Sequence, residues 1–262
     1  MPAVAAVGVS DVCGECSSPL SVVERKVRNV NAEEIHPWAH RLGVFDLETT
    51  GIDVRTSRIV SAHVGLIDAD GEVVRRTDWL ADPGIEIPAQ ASAVHGISTE
   101  RARAEGRDAA VVVAEILAEL KALIAAGIPI VIYNAPYDLS LLHHEAERYG
   151  LEPLHEPAPV IDPLVIDKAV DRYRKGKRTL EAAAAHYGVE LTDAHDAGAD
   201  AIAAGRVAQA LARAHGEKLL FEAIELHKLQ VGWCEDQAAS FQDYMRRTRD
   251  PAFTTSGAWP IR

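Results

Sequence analysis

The chain has 262 residues, 48% of them apolar and 25% charged, with a formal net charge of −12. That length supports a core without disulfide staples, and three cysteines cannot all pair with one another, so a secreted disulfide scaffold is excluded and a reducing cytoplasm is expected. The acidic balance argues against a broad basic face for duplex nucleic acid. No apolar run approaches the roughly 20 residues of a membrane helix, so no membrane partner is expected. The apolar start, Met1 to Val9, lacks the basic region of a signal peptide.

Residues 1–40 show no clear period and are expected to form an irregular extension. Cys13 and Cys16, then His36 and His40, stand in zinc-ligand order, but 19 residues separate Cys16 from His36, against about 12 in the common finger. A pair of free cysteines is the simpler reading.

From Arg41 the pattern sharpens. Leu42 to Leu47 and Ile59 to Ile67 are apolar runs long enough for buried strands. Asp68-Ala69-Asp70-Gly71 supplies turn chemistry before a third strand over Glu72 to Leu80, so the first three strands are expected to form an antiparallel meander. Residues 81–98, with Pro83 and Pro88, read as loop. Ala109 to Ala126 carries Val112, Ile116, Leu120 and Leu123 at helical spacing, and Gly127 and Pro129 stop it. Ile128 to Tyr133 is a short apolar strand of the parallel, buried type. A helix over Pro136 to Tyr149, a fifth strand starting at Val160, and helices over Thr179 to Tyr187 and Ala197 to His215 follow. The order predicts an α/β fold: a five-stranded mixed sheet, three antiparallel strands then two parallel, flanked by helices.

Residues 217–247 form a long helical pattern with a heptad-like stripe from Leu220 to Met245. Packing back onto the main body is one reading. The other is a helix for self-association as a homodimer or for a polymerase or clamp partner. The tail to residue 262 reads as irregular.

Three acidic segments carry chemistry. Asp46 and Glu48 lie two apart near a strand's C-terminal end, so both point to one face. Two carboxylates there repel unless a proton or a hard cation neutralises them. Asp138 follows Tyr133-Asn134-Ala135-Pro136-Tyr137 at the start of a helix, where an acid also complements the helix dipole. His195 precedes, and Asp200 sits inside, a helix rich in alanine. Asp193 or Asp196 is placed to cap that helix.

Taken in order, Asp-x-Glu, then Asp, then His-x4-Asp resembles the DnaQ-like exonucleases of the DEDDh group, which includes the proofreading epsilon subunit of bacterial DNA polymerase III. The resemblance runs from about Arg41 to His215, with support from His95-Gly96-Ile97 and Asp162. Three parts follow: the extension, 1–40; an exonuclease domain, 41–215; and a C-terminal helix and tail, 216–262. The resemblance implies a ribonuclease H-like fold and hydrolysis of phosphodiester bonds from the 3′ end of single-stranded or frayed nucleic acid, DNA favoured and RNA trimming the alternative.

It also implies two divalent cations, Mg²⁺ or Mn²⁺. Asp46 would bridge them, Glu48 and Asp200 would complete the first ion's shell, and Asp138 would hold the second ion through water. His195 would be the general base, taking the proton from the attacking water. Leu47, Thr49, Thr50 and Gly51 would hold the terminal nucleotide, with His95 against its sugar or base. The run Arg172 to Arg178 carries five basic residues in seven, and Arg174 and Lys175 are expected to meet phosphates of the incoming strand.

Overall fold

The computed structural model describes residues 35–192 and 194–262. The cysteine pair at Cys13 and Cys16 and the capping role considered for Asp193 lie outside them. A single 3-10 turn at Pro37–Ala39 comes first. Its Trp38 and Ala39 are buried, as is Ile35, and the Trp38 indole donates to the Leu219 carbonyl at 3.3 Å. The irregular stretch expected over 1–40 therefore meets the packed body at residues 35–40.

Strands β1 (Leu42–Thr49), β2 (Ile59–Ile67) and β3 (Val73–Asp82) form the antiparallel meander. Two short helices, α1 (Ala89–His95) and α2 (Thr99–Glu105), occupy ground read from the sequence as loop. No residue of α1 is buried, so it leaves no apolar period to detect. Ser98 caps α2 by accepting from the Arg101 amide.

A two-residue strand, β4 (Arg107–Asp108), then pairs parallel to β3 at the sheet's outer edge. Helix α3 (Ala109–Ala125) follows, with Asp108 as its N-cap. Strand β5 (Ile130–Val131) lies parallel to β1, and β6 (Val160–Ile161) parallel to β5. The sheet runs β4-β3-β2-β1-β5-β6. The five expected strands are present, three antiparallel then two parallel, and β4 is a sixth.

Helices α4 (Ala135–Arg148), α5 (Pro163–Val170), α6 (Leu180–Tyr187) and α7 (Ala197–Ala214) complete the body. Both faces of the sheet are covered, which explains why β2 is apolar almost throughout. Phe45 and Leu47 of β1 face a core built with α3 and α4, while Leu42 and Val44 face a second core built with α7. Alternation along β1 thus puts Asp46 and Glu48 in the same row as Leu42 and Val44, beneath α7.

The alanines of α7 let it come close. A Cβ on Gly205 would stand 2.6 Å from Val44 and 2.7 Å from Ile67, so only glycine fits. Where α7 begins, the row beneath it changes from apolar to acidic.

Helix α8 (Ala223–Thr248) packs on α5 and β6 with Leu226, Gln230 and Cys234 buried. Gln230 spans the contact, accepting from the Asp162 amide at 2.6 Å and donating to the Val160 carbonyl at 3.0 Å. The face carrying His227 and Cys234 is therefore spent inside the chain, and what α8 leaves open is the Phe241 and Tyr244 side. No helix among the described residues is long and apolar enough to cross a membrane.

Candidate active site

Each acidic segment reaches one place for a local reason. β1 ends at the bottom of a register shift between Glu48 and Thr49, and Glu48 is its last regularly paired residue, opposite Ser61. A bulge of this kind re-aims side chains at a sheet edge. Asp196 caps α7 by accepting from the Ala199 amide at 3.0 Å, which sets Asp200 one turn in. His195 just before it has φ 73°, a left-handed conformation that non-glycine residues adopt rarely. Its amide donates to the Asp200 carboxylate at 3.2 Å. The ligand atoms of Glu48, His195 and Asp200 all lie within 4.8 Å of one another.

Asp138 arrives from the opposite side. Asn134, also left-handed at φ 65°, turns the chain from β5 into α4. The turn is held by Asp162, which is fully buried and accepts from the Asn134 and Ala135 amides at 3.0 Å each. Asp162 also accepts from Leu164 at the start of α5 and from the Trp259 indole at 3.3 Å. Four donors on one carboxylate lock the first turn of α4 and with it Asp138, which is 3% exposed and lies against the Leu47 amide.

The electrostatics are those of crowded anions. Burial pushes the Asp46 carboxyl well above its ordinary range, and Asp138, Glu48 and Asp200 push it further. Burial together with Asp200 and Asp196 raises Glu48 to about 8. Burial also raises Asp138 and Asp200, against opposing amide hydrogen bonds in each case. One oxygen of Asp200 is buried without any hydrogen-bond partner. Four oxygen-donor acids in mutual repulsion, one with an unsatisfied oxygen, fit hard divalent cations, which take carboxylate ligands.

Around the carboxylates the structure brings together most of the residues expected to hold a nucleotide. The Thr49 and Tyr137 hydroxyls both lie within hydrogen-bonding reach of the Gly51 carbonyl, at 2.8 and 2.6 Å. Thr50 pairs with Arg58 through both its amide and its hydroxyl. His95 lies beside the Thr49 backbone and His195, and burial holds its ring below the usual histidine pKa, hence neutral. A cleft of about 450 Å³ opens next to it, lined by His95, Ile97, Arg101, His195 and Arg76.

The basic loop departs from expectation. Arg174 does not face outward: its guanidinium meets the fully buried Asp167, as does that of Arg178 at 2.7 Å. Burial alone would raise Asp167, but hydrogen bonds from Arg178, Tyr187 and Arg174 hold its carboxyl below the ordinary value. Arg174 is thus an internal clamp, whereas Lys175 is exposed. Arg174→Ala should lower stability by about 1–3 kcal/mol, since Asp167 loses one partner in a buried network. Lys175→Ala should change it by less than about 0.5 kcal/mol. Urea unfolding of both variants checks the contrast, and equal midpoints would refute it.

Three contributors escaped the sequence reading. Glu181 of α6 stands 3.8 Å from the His195 imidazole. Its position depends on how α6 meets the α7 start, which leaves no local signal. Tyr137 was within the motif that holds Asp138, so its adjacency was the available clue. Arg76 sits 3.9 Å from the α7 cap Asp196 and is itself paired with Asp78, which also meets the buried His63. That chain crosses three elements and has no sequence signature.

Comparison with known proteins agrees with this geometry. The RNase T family model, described as an exonuclease, matches residues 44–208. DNA polymerase III PolC-type of Streptococcus thermophilus is 29% identical over 189 residues, 71% of this chain and 12% of that protein. An uncharacterized exonuclease of Escherichia phage 186 is 36% identical over 118 residues, covering 44% of this chain and 54% of the phage protein. Among solved structures, Escherichia coli exonuclease I in complex with an oligonucleotide superposes with a TM-score of 0.59 at 21% identity, over 69% of this chain and 42% of that one. Exonuclease I from Methylocaldum szegediense gives 0.57 at 22%, over the same shares. The chain spans about an eighth of the PolC-type relatives. Its acidic cluster, its sheet order and the family match over most of its body place the chain in the RNase T/DnaQ-like exonuclease family.

Proposed function

We propose that this chain is a metal-dependent 3′–5′ exonuclease that removes nucleotides from single-stranded or frayed DNA. The observation that carries the reading is the convergence of Asp46, Glu48, Asp138 and Asp200, from three separate elements, with His195 at the rim. Asp46, Glu48, Asp138 and Asp200 would hold two divalent cations, Mg²⁺ or Mn²⁺. Bound there, such ions supply charge stabilisation to the attacking and leaving oxygens of the phosphodiester.

The chain's own groups do the rest. The His195 imidazole takes the proton from the attacking water, a role suited to histidine at neutral pH. Glu181 opposite it stabilises the imidazolium that results. The Thr49, Tyr137 and Gly51 cluster fixes the β1 end, so that Leu47, Thr49 and Thr50 line the terminal nucleotide. His95, kept neutral, presents an uncharged edge to the sugar.

The oligonucleotide complexes of exonuclease I support DNA as substrate, and the PolC-type likeness supports a role beside a polymerase. Matched single-stranded DNA and RNA oligonucleotides, labelled at the 5′ end and incubated with Mg²⁺, Mn²⁺ or EDTA, test the proposal. The expected result is a 3′-shortening ladder, faster on DNA, that EDTA abolishes. Inactivity with both metals overturns the reading, and faster RNA trimming replaces its substrate.

A further inference from the structure

A second feature lies away from the carboxylates, on the side of α8 that the body leaves uncovered. A groove of about 780 Å³ runs between α5 and α8, lined by Lys168, Arg172, Trp233, Phe241 and Tyr244 along with Asp236 and small polar residues. Phe241 is 50% and Tyr244 48% exposed, and Tyr173, next to Arg172, is 88% exposed. The chain has only four Phe, four Trp and six Tyr, yet three of these rings, Trp233, Phe241 and Tyr244, line this one groove.

The walls are fixed. Gln237 of α8 donates to the Val165 carbonyl of α5 at 2.9 Å. Phe253 of the tail packs edge-on against Phe241, with ring centroids 5.5 Å apart, and Arg246 holds the Phe253 carbonyl at 2.8 Å.

Continuity with the carboxylate site suggests the occupant. From Arg172 the loop carries Tyr173, Lys175 and Lys177, all exposed, and then enters α6. Glu181 of α6 feels the charge of Lys177 and faces His195. The same loop is tied to the end of β5 where the Tyr133 hydroxyl donates to the Arg178 carbonyl at 2.8 Å. A row of exposed cations, Arg172, Lys175 and Lys177, therefore leads from the catalytic rim to a rigid aromatic groove, on a protein whose net charge is strongly negative. Aromatic rings flanked by cations are the chemistry that holds a single strand without reading its sequence.

We infer that the 5′ portion of the substrate strand passes over the loop at Arg172 to Lys177 and stacks its bases in the groove between α5 and α8. The inference rests on the exonuclease reading above. It gives the C-terminal helix a role in substrate hold, and makes activity depend on strand length.

The test is a series of 5′-labelled single-stranded DNAs from three to twenty nucleotides, assayed for initial kcat/KM. In the wild type kcat/KM should climb with length. In the double variant Phe241→Ala/Tyr244→Ala the climb should shrink about tenfold, the worth of a lost base stack, and the loss should appear in KM rather than kcat. The ring-keeping variant Phe241→Tyr/Tyr244→Phe should retain it. An active wild type whose climb is the same in the alanine variant overturns the inference and leaves the groove to a protein ligand. A wild type that degrades none of the oligonucleotides overturns the exonuclease reading beneath it.

Discussion

Asp46→Asn should lose about a thousandfold or more in hydrolysis, and the metal-free variant should melt higher than the wild type. Both follow from one fact. Asp46 is buried among Asp138, Glu48 and Asp200, each of which makes its ionisation costly. An amide of the same shape removes one anion from that cluster, so folding gains while the charge that would hold a cation is lost. Each kcal/mol of relieved repulsion raises Tm by about 2–4 °C in a chain of this size. Steady-state kinetics with Mg²⁺ and calorimetry in EDTA give the two readouts. A variant that loses activity and stability together would mark Asp46 as a structural residue. One that keeps a tenth of the activity would remove it from the site.

The second large effect is the pH dependence of that same stability. A carboxyl whose pKa is higher in the folded than in the unfolded state favours folding while it is protonated. That contribution is complete below its ordinary value, about 4.5, and is lost as pH rises through the folded value. For Glu48 the folded value is about 8, and Asp46, Asp138 and Asp200 shift in the same direction. In EDTA the Tm should therefore fall steadily between about pH 5 and pH 9. Saturating Mg²⁺ or Mn²⁺ should cancel the fall, so that the metal-induced rise in Tm grows with pH. Binding at pH 7 should also release protons, visible as a buffer-dependent heat in titration calorimetry. A metal-induced Tm rise of equal size at pH 5 and pH 9 would contradict the crowding of these acids.

What was legible in the sequence divides by range. β1, β2, α3 and α7 could be read because each carries its own period or its own stop: the Gly127 and Pro129 stop of α3, the alanine stripe of α7. The acidic motif was legible for the same reason, since Asp46 and Glu48 share a face by strand geometry alone. Helices α1 and α5 were not. α1 buries nothing, and α5 is eight residues long, although Asp162-Pro163 is a capping pair that could have announced it. Arg174 was misjudged because its charge was visible and its buried partner Asp167 was not. Glu181 beside His195 and Trp259 on Asp162 depend on elements meeting in space. Local pattern cannot supply that.

The Trp259 contact bears on the order in which the protein is made. Asp162 braces the turn that presents Asp138, and its indole donor lies 97 positions further along the chain. During translation the β-meander, α4 and α7 are all out before that indole exists. A nascent chain then holds Asp46, Glu48, Asp138, His195 and Asp200 but lacks one of the four donors on Asp162. In chain order the indole is the last of these donors to appear, so the brace on the Asp138 turn is completed only once residue 259 has been made. Until then that turn rests on the three backbone donors of Asn134, Ala135 and Leu164 alone.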